Sequence, residues 1–198
     1  PQYIGYNIGH YLPGSNTLAW LEYSGVNAFR VWMSPGDYET KDDITPFGDG
    51  VTDLARFKVL KASLRKDPRN LKFTNFDKLD ERFKNDVQNS RNKVVAHTVF
   101  TDLQARGITP VVELSFSKNW PLDSWAGKWE QWQHVYAMVY YMAGRYEVGR
   151  YQTCNEPDQK SNPFPLPEWL ERFRISSDAI RCAIEDVNRD FKKKLVPD

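Results

Sequence analysis

The sequence predicts an α/β fold with a parallel sheet, organised as the first four units of an eight-fold β/α barrel. Three observations lead there. Strand-like and helix-like segments alternate along the chain. The strands are separated by helical crossovers, which parallel neighbours require. The polar residues able to do chemistry fall at the C-terminal ends of the strands, where such barrels carry their functional groups. With 198 residues and 40% apolar side chains, one domain can bury a sizeable core without disulfides or a structural metal.

Tyr3 to Gly9 is the first strand expected, followed by a Pro13-Gly14 turn and a short helix from Asn16 to Ser24 that Gly25 caps. Val26 to Met33, rich in aromatic and β-branched residues, is the second strand. Residues 34–93 then interrupt the rhythm. A polar stretch of this length exceeds an ordinary loop, so it reads as a helical insertion after strand two. Within it Thr52 to Leu64 and Phe76 to Val87 look helical, with Leu54, Phe57, Leu60 and Leu64 on one stripe. A helix from Val94 to Arg106 stops at Gly107, and Ile108 to Phe116 is the third strand. A Trp-rich loop leads to a helix from Lys128 to Arg145, whose Trp129, Trp132, Tyr136, Val139 and Ala143 recur at helical spacing. Val148 to Cys154 is the fourth strand, and Pro167 opens a final helix with Leu170, Phe173, Ile180, Ile184, Val187 and Phe191 on its buried face. Gly5, Gly9 and Gly14 do not fit the Gly-rich loop of a dinucleotide fold.

Composition excludes several classes of function. Lys plus Arg number 27 against 26 Asp plus Glu, which leaves no electrostatic basis for binding nucleic acid or an anionic membrane. No apolar run is long enough for a membrane span, and no signal peptide is visible at the start of these residues. With Pro1 in place of Met at the start, some processing or trimming is expected. Two cysteines, Cys154 and Cys182, are too few for a disulfide scaffold. His10, His97 and His134 are scattered, so no metal site is expected.

The tetrad Asn155-Glu156-Pro157-Asp158 closes the fourth strand. Glycoside hydrolysis needs a carboxylic acid to protonate the leaving oxygen and a second carboxylate to attack the anomeric carbon or activate water. A partly buried Glu at a structured strand end suits the acid, because its pKa must be raised. Asn155 beside it can hydrogen-bond a sugar hydroxyl.

By these residues the chain resembles the clan of retaining glycoside hydrolases built on a TIM-type (β/α)8 barrel, in which an Asn-Glu pair ends strand four and the Glu is the general acid/base. The segment from Gly107 to Phe116 looks more narrowly like the third strand of glycoside hydrolase family 39, which includes β-xylosidases and α-L-iduronidases. The resemblance implies that residues 1–198 are the N-terminal half of such a barrel, that Glu156 is the acid/base, and that the nucleophile, carried by the clan on strand seven, lies outside this chain. It also implies a carbohydrate substrate, no cofactor and an extracellular or secreted setting. Arg30 matches the clan's strand-two arginine that supports the catalytic carboxylates. The position before Asn155, commonly Trp in the family, is Cys154 here.

Other candidates follow from position. Ala28, Arg30 and Trp32 share one face of strand two, so Arg30 serves the site, an internal ion pair, or both. Glu113, ending strand three, binds sugar or pairs with Arg30 as scaffolding. His10, with Asn7, ends strand one and is placed to contact a sugar. Trp32, Trp120 and Trp125 are the stacking candidates. A half barrel exposes sheet edges at its first and fourth strands, so a partner chain or the C-terminal half is expected to cover them. The alternative to an enzyme is a non-catalytic carbohydrate-binding or structural protein with the same fold.

Overall fold

The computed structural model describes residues 5–6, 17–35, 47–85, 95–115, 120–154 and 164–196. His10, Asn155 and Glu156 lie outside them. Strand β1 spans Gly5–Tyr6, helix α1 Thr17–Ser24 and strand β2 Ala28–Met33. Helices α2 (Leu54–Lys66), α3 (Phe76–Asn85) and α4 (Ala96–Ala105) follow, then strand β3 (Thr109–Leu114), helix α5 (Trp125–Tyr146), strand β4 (Arg150–Thr153) and helix α6 (Leu166–Phe191). All strand pairings are parallel, in the order β1-β2-β3-β4.

The fold is α/β, but the four-unit β/α barrel predicted from the alternation is corrected. Three strands of four to six residues make the sheet, and β1 adds a pairing of two residues, Gly5 with Ala28 and Tyr6 with Phe29. The described sheet is open, with β1 and β4 unpaired to each other. Three helices separate β2 from β3, the two of the insertion and the crossover helix that the sequence also places there. Alternation specifies which strands are parallel neighbours, whereas closure into a barrel depends on strand tilt and stagger, which the hydrophobic pattern does not encode.

The two faces of this sheet differ sharply. Phe29, Val31 and Met33 of β2 and Val112 and Leu114 of β3 are buried and join the core formed with the helices. On the other face Arg30, Thr109, Val111, Arg150 and Gln152 are half-buried. Parallel strands expose alternate residues to opposite sides, so the polar set projects away from the packed helices.

Helix α5 is the centre of the domain. Its stripe Trp129, Trp132, Tyr136, Val139 and Ala143 is buried as the periodicity predicts, and so is its opposite side, including Glu130, Gln131, Gln133 and His134. Ser124 caps the helix by accepting from the Gly127 N–H at 3.0 Å. Helix α2 is capped by Asp53, which accepts from Arg56 N at 2.8 Å. At both ends of α6 the expected buried face departs from the pattern: Leu170, Phe173 and Phe191 are exposed, whereas Ile180, Ile184 and Val187 are buried. No helix is long and apolar enough to cross a membrane, among the described residues.

Gly127 lies where α5 meets the preceding loop, and a Cβ there would stand 1.9 Å from the Pro121 carbonyl oxygen. The approach is to backbone, which cannot swing aside. Gly127→Ala is expected to destabilise the fold by about 2 kcal/mol or more; an unchanged urea midpoint would show that the loop yields instead.

Candidate functional site at the strand ends

The C-terminal ends of β2, β3 and β4 lie side by side because the strands are parallel and in register. Trp32 pairs with Glu113, and Glu113 with Gln152, so these three side chains share one face at one level. Trp32 is 40% exposed, and the Arg30 guanidinium lies 5.3 Å from its ring centroid, a cation–π contact. Glu113 is buried and accepts from the Ser115 hydroxyl at 3.1 Å. Gln152 Nε2 donates to the Cys154 carbonyl at 3.3 Å.

At Cys154 the chain leaves the sheet with φ of +70°, while its N–H still donates to Leu114 O at 3.1 Å. A left-handed backbone at a residue with a Cβ costs about 1–2 kcal/mol, and such strain concentrates at functional sites. Asn155 and Glu156 are the next two residues in the sequence. Burial pushes the Cys154 thiol up to about 11, the Glu113 carboxylate adds to this, and Arg172 opposes it. The thiol is therefore neutral at ordinary pH and free of any disulfide.

Beneath these strand ends runs a buried polar seam that sequence reasoning missed. Arg172 of α6 is almost fully buried. It donates to Glu168 Oε1 at 2.7 Å, to the Trp120 carbonyl at 3.1 Å and to Gln131 Oε1 at 3.3 Å, and it lies 5.0 Å from the Phe164 ring. Gln131 in turn donates to the Ser176 hydroxyl at 2.9 Å. In the sequence Glu168 and Arg172 look like an ordinary i,i+4 surface pair. The one available signal was the basic residue lying between positions of an apolar stripe.

The structure brings Arg30, Trp32 and Glu113 together at one edge. It places Trp120 elsewhere: the indole is 2% exposed and packs on His134 with ring centroids 4.4 Å apart, so it supports the site from inside and presents no open stacking face. Trp125, the first residue of α5, is half-buried beneath the Lys128 ammonium at 4.9 Å.

Two outcomes follow. Arg172→Met removes the donor that joins Trp120, Gln131 and Glu168, and thermal unfolding should report a loss of about 2–3 kcal/mol; a variant as stable as the parent would mean the seam contributes nothing. Separately, the native fold holds the Cys154 proton to higher pH than the unfolded chain does. Its contribution to stability is therefore complete below about pH 9 and declines between about pH 9 and 11. Iodoacetamide at neutral pH should label Cys154 and Cys182 only after denaturation, as read by mass spectrometry; labelling of the native protein would contradict the assigned burial.

No protein-family model matches the chain, and no curated protein is similar enough to match it.

Proposed function

We propose that the chain belongs to a retaining glycoside hydrolase acting on O-glycosidic bonds of an oligo- or polysaccharide, with Glu156 as general acid/base and the nucleophile contributed from outside residues 1–198. The observation that carries the reading is the left-handed turn at Cys154, which immediately precedes Asn155-Glu156 at the carboxyl end of a parallel strand. In open α/β sheets, ligands bind in the crevice outside the carboxyl ends of the strands, so this reading does not require a closed barrel.

The neighbouring strand ends supply what such a site uses. Trp32 offers a partly open ring face for a sugar, Arg30 beside it a fixed positive charge, and Glu113 a buried carboxylate steadied by Ser115. In the mechanism Glu156 would protonate the departing glycosidic oxygen as a covalent glycosyl-enzyme forms. It would then deprotonate the water that releases the sugar, while Asn155 holds a substrate hydroxyl. His10, which follows the first strand in the sequence, would be a further sugar contact. No cofactor is needed for either step, and secretion accords with a polysaccharide substrate.

The test is turnover of aryl glycosides by the full-length protein and its Glu156→Gln variant. Loss of the acid/base should lower kcat/KM by roughly 100-fold or more for a poor leaving group, and far less for an activated one that needs no protonation. Equal rates for the two proteins on the poor substrate would eliminate the assigned role. Saturable oligosaccharide binding without turnover by either protein would leave the non-catalytic alternative.

A further inference from the structure

A second cleft lies toward the C-terminal end of α5, lined by Arg69, Phe76, Asp77, Asp80, Tyr140 and Phe191 among others and by none of the strand-end residues. Its volume is about 580 Å³, within the range of small-molecule sites. We infer that this cleft binds a neutral saccharide, independently of Glu156.

Three rings form its wall. Phe76 of α3 lies 5.6 Å from Tyr140 of α5, and Tyr140 lies 5.8 Å from Phe191 at the end of α6. Phe191 is 37% exposed, so part of its ring faces the cleft and solvent. The position is built for it. A Cβ at Gly144 would stand 3.2 Å from Phe191 Cε2, so the glycine lets the ring lie against α5.

Around the wall stand two arginines and two aspartates, whose charges cancel. The Arg69 guanidinium sits 5.5 Å from the Phe191 ring centroid. Arg145 Nε is 3.4 Å from Asp80 Oδ1. Burial alone would raise the Asp80 pKa, but hydrogen bonds from Lys84 and Tyr141 overcome this and hold it below the usual carboxylate range. Asp80 is thus occupied within the protein. Asp77, exposed on the first turn of α3, has no partner for its carboxylate among the described residues.

This lining selects among ligands. A phosphate or other strong anion would meet Asp77 and Asp80. A lipid chain would desolvate four charged groups with nothing to replace water. A neutral sugar ring satisfies both demands: its C–H face lies on the aromatic wall, its hydroxyls donate to Asp77, and its oxygens accept from Arg69 and Arg145.

The proposal is tested by titrating the isotopically labelled 198-residue chain with xylohexaose, cellohexaose and mannohexaose, following backbone amide shifts. At least one hexaose should give saturable shifts centred on Phe76 to Asp80, Tyr140 to Arg145 and Phe191. Phe191→Leu, which keeps apolar bulk without the ring, and Asp77→Asn, at an exposed position, should each weaken that binding about tenfold or more. Glu156→Gln should leave it unchanged, and neither cleft variant should alter aryl glycoside turnover. Absence of saturation up to about 20 mM of every hexaose, shifts confined to the strand ends, equal affinity in both cleft variants, or the same shifts produced by sodium phosphate would each overturn it. A failed cleft with intact Glu156-dependent turnover, or the reverse, keeps the two readings separate.

Discussion

Helix α5 is enclosed on all sides, and a helix so placed must find partners for every polar group it carries inward. Gln133 donates to Phe73 O at 2.9 Å and to Thr74 Oγ1 at 3.0 Å, which fixes the segment between α2 and α3. Glu130 accepts from Gly48 N, and the Trp129 indole donates to Asp49 at 2.6 Å, so the turn at Phe47–Gly50 is held to the helix start. His134 Nδ1 lies 2.8 Å from the Glu130 carbonyl oxygen, an acceptor, so this nitrogen carries the proton. The bonds from Gln133, Glu130 and Trp129 tie two segments of the insertion, at Phe73–Thr74 and Gly48–Asp49, to one rod.

Helix α6 completes the enclosure through charge as well as apolar packing. Asp186 is buried and accepts from Arg65 at 2.8 Å, from Arg189 at 2.8 Å and from the Tyr136 hydroxyl at 2.8 Å. Burial would raise the Asp178 pKa, but Lys61 and the Trp132 indole hydrogen-bond to the carboxylate and lower it below the usual range. Loss of one member of such a cluster would leave charge uncompensated in the interior. The outer helices are thus locked to α5 by groups that specify orientation, while the rings of Trp129, Trp132, Tyr136 and Tyr140 stack along its length with centroids 5.0 to 6.0 Å apart.

Much of the element order was legible because it follows from local periodicity and stop signals. The four strands, the two insertion helices and the α5 stripe fall within a few residues of where hydrophobic spacing, Gly107 and Pro167 put them. The burial of Glu130, Gln131, Gln133 and His134 was not legible, because a stripe at 3.6-residue spacing assigns the remaining positions to solvent. Trp120 shows the same limit: an indole in a polar loop reads as a ligand platform until a facing imidazole is found 4.4 Å away. Leu170 and Phe173 fail in the other direction, since a continuing apolar stripe does not say what covers it. Barrel closure was over-read from alternation, a property of neighbouring strands and not of the whole sheet. At the strand ends, the juxtaposition of Trp32, Glu113 and Gln152 needed the register, whereas the place of Glu156 after β4 was available from the sequence alone.

The turn at Cys154 has a consequence for which sequences this position can accept over evolutionary time. Side-chain volume alone would admit Val or Thr in place of Cys, yet branching at Cβ makes a positive φ prohibitive. Glycine would relax the backbone but leave a gap where the buried thiol packs. Asparagine tolerates the conformation but brings an amide that must find partners inside the fold. In this fold the residue ahead of Asn155 is therefore confined by chirality and size at once.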